Sequence, residues 1–300
     1  MSDFIQQTSC ECSFTTHDSW VILTPIEQSI KRKIEEVGIP LKDWNVSINY
    51  GIKTGYNDAF IISETKRNEI LSNCKSDDES QRTAELIRPI LRGRDIKRYG
   101  YHFAGLYLIN THNGIKEKNI SRIDIDDYPA VKKHLNEYWD KISMRADKGD
   151  TPYNLRNCAY MDELFQSKII WGEISDNSKF AFDFNGTFMP EATTFYMRGE
   201  NIEFLLAALN SKLSEWFFSK IGTTTGVGTV RWKKYTIEQL IVIKPTDKVL
   251  NDYLLLFENF KNKKISVSEF EQANDNLMFS LYDLSEEEID YINKYQVKLI

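Results

Sequence analysis

No apolar stretch in this chain approaches the ~20 residues a membrane-spanning helix requires, so the sequence predicts no membrane span. The first residues, Met1-Ser-Asp-Phe-Ile-Gln6, lack a basic segment followed by an apolar one. They predict no signal peptide, and with it a cytoplasmic protein whose Asn-x-Ser/Thr triplets at Asn45, Asn119 and Asn185 carry no glycosylation message. Cysteine is scarce: Cys10, Cys12, Cys74 and Cys158 form no disulfide framework. Cys10-Glu-Cys12 with His17 has no second ligand pair, as a zinc site usually would. Free thiols are the expectation.

Catalytic signatures are missing too. Gly222-Thr-Thr-Thr-Gly-Val-Gly228 has no lysine followed by Ser or Thr after its last glycine, and it follows a helical stretch rather than a strand. Both features argue against a nucleotide-binding phosphate loop. It reads either as an ordinary surface loop or as one bringing backbone N–H groups and hydroxyls to a phosphate backbone. The four histidines sit near no nucleophile, and His134 falls on a helix as a structural or exposed residue. Asp58 and Glu64-Thr-Lys66 faintly echo metal-dependent nucleases, but no third ligand lies near. Neither a dinucleotide fingerprint nor an Asn-Pro-Pro-aromatic tetrapeptide occurs.

What is present is a soluble-type composition, 41% hydrophobic and 27% charged, with enough aromatics (13%) for a sizeable core. A net charge of −6 argues weakly against nucleic acid. The distribution argues otherwise. Acids gather toward the C-terminus, from Glu269 to Asp290. Bases gather in Arg88-Pro-Ile-Leu-Arg-Gly-Arg-Asp-Ile-Lys-Arg98 and in Arg231-Trp-Lys-Lys234.

The elements predict a mixed α/β (α+β) fold: a twisted sheet with flanking helices and a helical C-terminal element. Pro25 to Val37 reads as a helix with Pro at its first turn. Trp44 to Tyr50 alternates strictly, a strand with one buried face, and Ala59 to Ile62 reads as a second strand. Gly51-Ile-Lys-Thr-Gly-Tyr-Asn57 is then the loop between them. It is either a plain polar turn or a segment presenting Lys53, Thr54, Tyr56 and Asn57 to a partner. Residues 83 to 99 read as short helical turns or a loop interrupted by Pro89 and Gly93. A helix from Pro129 carries Val131, Leu135, Tyr138 and Ile142 on one face, and Met144 to Arg156 is a polar loop. Leu106–Ile109, Lys168–Trp171 and Thr193–Met197 read as strands, and Phe180 to Met189 as a hairpin turning at Asn185-Gly186. One helix runs from Ile202 to Phe217, Leu240–Ile243 is a strand, and helices follow from Asp247. Ser268-Glu-Phe-Glu271 and Ser285-Glu-Glu-Glu288 have the form of capping boxes. A boundary near residue 246 divides a recognition domain (1–245) from a helical element (246–300).

With no complete catalytic constellation, a binding role is the leading expectation. Arg92, Arg94, Lys97, Arg98, Arg145, Arg156, Arg231, Lys233 and Lys234 join Lys53 in loops and short elements, with Tyr56, Tyr99 and Trp232 beside them. Arginine grips guanine and phosphate bidentately, asparagine grips adenine, and lysine meets phosphate as a point charge. Two rivals remain open. One is an enzyme using the carboxylates between Arg145 and Arg156, with convergent acids of perturbed pKa. The other is a protein-docking domain with an exposed apolar stripe on its tail.

Several collinear blocks strengthen the binding reading. Gly51 to Phe60 resembles the opening motif of the target-recognition domain in type IIG restriction–modification enzymes. Ile90-Leu-Arg-Gly-Arg-Asp-Ile-Lys-Arg-Tyr99 resembles that family's Leu-Arg-Gly-x-Asp-Ile block. Tyr128 to Leu135 and Arg145 to Arg156 resemble its central helix and charged loop, and Leu209-Asn-Ser-Lys-Leu213 its late helix. Arg231 to Leu240 resembles its closing segment, and Ser280 to Ile289 the ending of whole enzymes of the group. The resemblance implies a domain without catalysis of its own that binds double-stranded DNA at Lys53, Thr54, Tyr56, Asn57, Arg92, Arg94, Lys97, Arg98, Arg145, Arg231, Trp232, Lys233 and Lys234. It implies an adenine methyltransferase module in cis or in trans, which would carry the S-adenosylmethionine absent here. Type I specificity subunits imply the same role by another assembly.

Overall fold

The alternation before Gly51 does produce a strand, Val46–Tyr50, but it does not return as a hairpin. It pairs antiparallel with Thr194–Gly199, Tyr50 opposite Phe195. The computed structural model describes residues 23–221, 223–224 and 230–295. Cys10, Cys12, His17 and most of the Gly222–Gly228 loop lie outside the described residues. The fold is mixed α/β, as expected. The chain divides into two compact units: residues 46–175 with 179–202, and a second unit that includes 23–45, 176–178 and the segment from 203 onward. The helices that follow Asp247 therefore share a unit with residues near both ends of the chain.

The 46–202 unit is built on two four-stranded sheets. The first runs Phe180–Asp183, Lys168–Gly172, Thr194–Gly199, Val46–Tyr50, all antiparallel. The second runs Met189–Pro190, Ile87–Leu91, Leu106–Ile109, Ile61–Ser63, with its first pair parallel. One core joins them, including the fully buried Phe60, Ile90, Leu108, Ile170 and Tyr196. Burying side chains of this size stabilises by roughly 1.5–3 kcal/mol each.

Several expectations are corrected. The Asn185-Gly186 hairpin does not form, although Gly186 turns with φ +62°. Asp183 closes the turn instead: its carboxylate accepts the N–H of Thr187 and of Phe188 at 3.0 and 2.9 Å, and it pairs with the buried Lys168 ammonium at 2.7 Å. The chain then leaves for the other sheet, where Met189–Pro190 joins Ile90–Leu91. Residues 87–91 are a strand despite Pro89, not helical turns. Ala59-Phe60 belong to a helical turn, Asn57–Phe60, and the strand starts at Ile61. The polar stretch after it holds two helices, Glu64–Ser72 and Asp77–Leu86, capped by the Ser63 and Ser76 hydroxyls. The helix from Pro129 breaks after Asn136 and resumes at Trp139–Ile142.

In the other unit, Pro25–Val37 is the expected helix, and Ile39–Pro40 pairs antiparallel with Ile241–Val242. The long helix from Ile202 is two, Ile202–Asn210 and Lys212–Ile221, because the Ser211 hydroxyl turns back to the Ala208 carbonyl (2.7 Å). Three tail helices follow: Asp247–Lys261, Val267–Leu281 and Glu286–Lys294. The Ser285/Glu288 capping box forms; the preceding one uses Ser266 and Glu269, because that helix starts two residues early. Among the described residues no helix is long and apolar enough to cross a membrane.

A buried carboxylate ties this unit's ends together. Glu27 accepts from Lys220 Nζ at 2.6 Å, the Tyr291 hydroxyl at 2.8 Å and the Thr24 backbone N–H at 2.8 Å. Burial pushes its pKa up, but these partners outweigh burial and hold it at about 2. The folded value lies below the unfolded one, so the stabilisation is present above about pH 4.5 and is lost as pH falls toward 2. A shift of this size is worth roughly 3 kcal/mol. Glu27→Gln should lower stability at pH 7 and flatten its pH dependence between pH 5 and 2, read by urea denaturation across that range.

Candidate functional site

Gly51 sits where two backbones nearly touch. Its N–H donates to Thr194 O (2.9 Å) and that of Ile52 to Pro190 O (2.7 Å). A Cβ on Gly51 would lie 2.0 Å from Glu191 O. Only glycine fits such an approach. The 92–95 turn rests on the same 190–194 segment. Gly93 N–H donates to Thr193 Oγ1 (3.3 Å), and Glu191 N–H donates to Leu91 O (2.9 Å). Two loops far apart in sequence are thereby seated on one short stretch of backbone.

Within the first loop, Lys53 and Asn57 are exposed, Tyr56 is half-buried and Thr54 is buried. The Thr54 hydroxyl donates to Asn57 Oδ1 (2.5 Å) and accepts from the Tyr56 N–H (3.2 Å). Thr54, expected as a DNA contact, is buried, and its hydroxyl is engaged in shaping the loop. Tyr56 packs on Tyr138 with ring centroids 6.1 Å apart.

Arg145 is also buried. Its guanidinium donates to the carbonyls of Thr54, Pro152 (3.2 Å) and Asn154, and lies 4.1 Å above the Phe60 ring. Burial pulls its pKa down to about 10, so it stays charged at neutral pH. The side chain, expected as a DNA contact, joins the 51–57 loop to the 144–156 loop from the interior. Gly55, at φ +73°, lets the loops close: a Cβ there would lie 2.6 Å from Asp147 O.

Asp147 then bridges two exposed cations, Lys53 Nζ at 2.7 Å and Arg156 Nη1 at 3.2 Å. Hydrogen bonding from Lys53 leads in holding its pKa low. Lys53 and Arg156 also line a cavity of about 310 Å³ with Tyr50, Asn157, Cys158 and Tyr160. Tyr50 is 55% exposed and packs on Phe195 at 4.7 Å. Burial pushes the Cys158 thiol up to about 11 and the Tyr160 hydroxyl to about 12, so both are protonated near neutrality. The cavity offers aromatic walls, neutral donors and two cations, and no ionised nucleophile. Among the described residues no group of three or more His, Cys, Asp or Glu could hold a metal ion. His134 is buried and neutral-leaning, its Nε2 3.0 Å from Ala59 O.

In the second loop Arg92 is half-buried and forked onto Asp95, Nε to Oδ2 at 2.9 Å and Nη2 to Oδ1 at 2.8 Å. Arg94 and Lys97 are exposed and Arg98 half-buried. The cluster at 231–234 belongs to the other unit. Arg231, Lys233 and Lys234 are half-buried; Lys234 Nζ lies 3.6 Å from Glu238 and Lys233 Nζ 6.0 Å from the Tyr235 ring centre. Trp232, expected as a DNA contact, is buried and stacked on Phe218 at 4.0 Å, as part of the core. Sequence reasoning missed Tyr50, Cys158 and Tyr160, and met Asp147 only among the carboxylates of the rival enzyme reading. The available signal was the position of Tyr50 beside Gly51.

Truncation of Arg145 strands three carbonyls, each costing about 1–3 kcal/mol when left unpaired in the interior. Arg145→Ala should lose about 3 kcal/mol or more of unfolding free energy in urea titrations, and Arg145→Lys should recover little, because an ammonium cannot reproduce the planar fork.

A family model for the TaqI-like C-terminal specificity domain matches residues 88–242, just over half of the chain. No curated protein matches the chain. Among solved structures, the type IIL restriction-modification enzyme MmeI in complex with DNA superposes with a TM-score of 0.58 at 12% identity, over 87% of this chain and 36% of that one. The type IIG restriction endonuclease BpuSI gives 0.49 at 11% identity, over 88% of this chain and 34% of that one. The first likeness speaks for the fold alone; the second is too slight to add to it. The chain spans about a third of the length of either. The matched range takes in the basic 92–98 turn, the Arg145 staple, the cavity residues from Arg156 to Tyr160 and the 190–194 seat, and the chain belongs to the TaqI-like C-terminal specificity domain family.

Proposed function

We propose that this chain reads a short sequence of double-stranded DNA and acts as the specificity part of a restriction–modification DNA methyltransferase. The observation that carries the reading is the seating of the Lys53 loop and the Arg94–Lys97 turn on one backbone segment, in a chain of a specificity-domain family. Exposed Lys53, Arg94 and Lys97 supply phosphate contacts, which position a protein on the duplex without reading it. Asn57 and Tyr56, beside Lys53, would meet base edges. Arg98, Arg231, Lys233 and Lys234 are secondary phosphate contacts, and Arg92, Arg145, Thr54 and Trp232 hold the surfaces in shape. MmeI, whose fold this chain shares in part, was solved in complex with DNA. Chemistry lies elsewhere: an adenine methyltransferase module, in cis or in trans, would hold S-adenosylmethionine and act on the site this chain selects.

The test is binding of the full chain to a pool of duplexes with a randomised core, across salt. Affinity should fall with salt by about 0.9 in log–log slope per phosphate neutralised. Lys53→Ala, Arg94→Ala and Lys97→Ala should each flatten that slope by about 1. Binding insensitive to salt, or unchanged in all three variants, overturns the reading.

A further inference from the structure

The two exposed cations at the cavity are not equally placed with the acid that holds them. Lys53 and Arg156 side chains are 56% and 57% exposed, whereas Asp147 is 26% exposed. The carboxylate sits behind the cations, one oxygen to each: Oδ2 to Lys53 at 2.7 Å, Oδ1 to Arg156 at 3.2 Å. An anion arriving from solvent meets the cations first and the carboxylate second. Two cations spanned by two oxygens of one acid are spaced to be spanned equally by two oxygens of one phosphate.

The carboxylate is not needed to hold the loops. Arg145 already joins them through three carbonyls, and at Gly55 the nearest approach is to the carbonyl oxygen and Cβ of residue 147, not to its carboxylate. Ion pairs between partly exposed groups are weak, so this one is exchangeable. The Asp147–Lys53 pair also crosses between the two loops, but through exposed side chains, whereas the staple holds them through backbone.

We infer that Asp147 is an internal stand-in for a DNA phosphate and a specificity-determining residue: it neutralises Lys53 and Arg156 until a phosphate in the correct register takes both. This rests on the DNA-binding reading above. A phosphate in register replaces both ion pairs at once. One out of register reaches a single cation and competes with a carboxylate tethered beside it. Non-specific binding is almost wholly a phosphate effect, so the penalty falls more heavily on wrong sequences than on the right one. The trio carries a net charge of +1, and removing the carboxylate leaves two cations unopposed.

The test compares the full-length wild type with Asp147→Asn, and with Asp147→Ser as a smaller second variant, on the randomised-core duplex pool. Thermal unfolding of each variant is measured alongside. The unselected pool should bind either variant about threefold to tenfold more tightly, a difference of up to about 1.4 kcal/mol. The salt slope should steepen by about 0.9 for the one additional neutralised phosphate. Sequencing of the bound fraction should show a flatter enrichment than the wild type gives. A merely structural acid would lose affinity when replaced, not gain it. The inference is overturned if both folded variants bind the pool no more tightly than wild type while Lys53→Ala and Arg156→Ala weaken binding. If neither wild type nor variants show salt-dependent binding, the DNA reading falls and this inference with it.

Discussion

Arg145 takes a positive charge into a site where carbonyl oxygens and an aromatic face meet it. A buried cation is costly unless its donors are filled, and here the donors are filled by backbone from two loops. That requirement fixes both loops at once. The carbonyl of Thr54 must point inward, so Lys53 on one side and Asn57 on the other point out. The 152–154 stretch must fold back, assisted by the buried Asn154 side chain, which donates to Ile123 O at 2.9 Å. Arg156 and the cavity wall from Asn157 to Tyr160 follow directly from that fold. The exposed Lys53, Asn57 and Arg156 of these two loops thus depend on a buried residue.

The parts of the fold legible from sequence are those whose cause is local. The Trp44–Tyr50 alternation, the Pro25 helix start and the Ser285/Glu288 cap depend on neighbours within a few residues, and they appear where expected. The Asn185-Gly186 hairpin fails for the opposite reason. The turn is there, but the partner of Met189–Pro190 lies about a hundred residues upstream at Ile90–Leu91, and the buried Lys168–Asp183 pair closes the loop without a returning strand. Gly51 misleads similarly. Its glycine looks like a turn signal, yet the reason for it is the Glu191 backbone, which no window around residue 51 contains.

The site was legible as a list of cations and not as a surface. Arg92, Arg94 and Arg145 are equivalent in a sequence. In the structure Arg94 is exposed, Arg92 is locked to Asp95 and Arg145 is interior. Trp232 carries the same lesson: beside three basic residues it reads as part of a binding surface, but it is buried and stacked on Phe218. Asp147 entered the sequence reading only as one carboxylate of a possible catalytic loop, because an acid counts against anion binding when charges are summed, whereas its position relative to Lys53 and Arg156 is what matters.

Asp95 and Asp147 both face arginines in this unit, and depth separates their roles. Asp95 is buried; it takes the Arg92 fork through both oxygens and accepts the Arg92 backbone N–H as well. Burial alone would raise its pKa, but the guanidinium hydrogen bonds prevail and hold it low. Pulling that pair apart would strand a buried charge, which costs several kcal/mol, so the pair is a fixed part of the turn. Asp147 is only partly covered, and its cations face water that can solvate them when it lets go. The same acid–base chemistry thus yields a permanent brace in one loop and an exchangeable contact in the other. A chain of net charge −6 can in this way keep exposed cations such as Lys53 and Arg156, because the acid that balances them is less exposed than either.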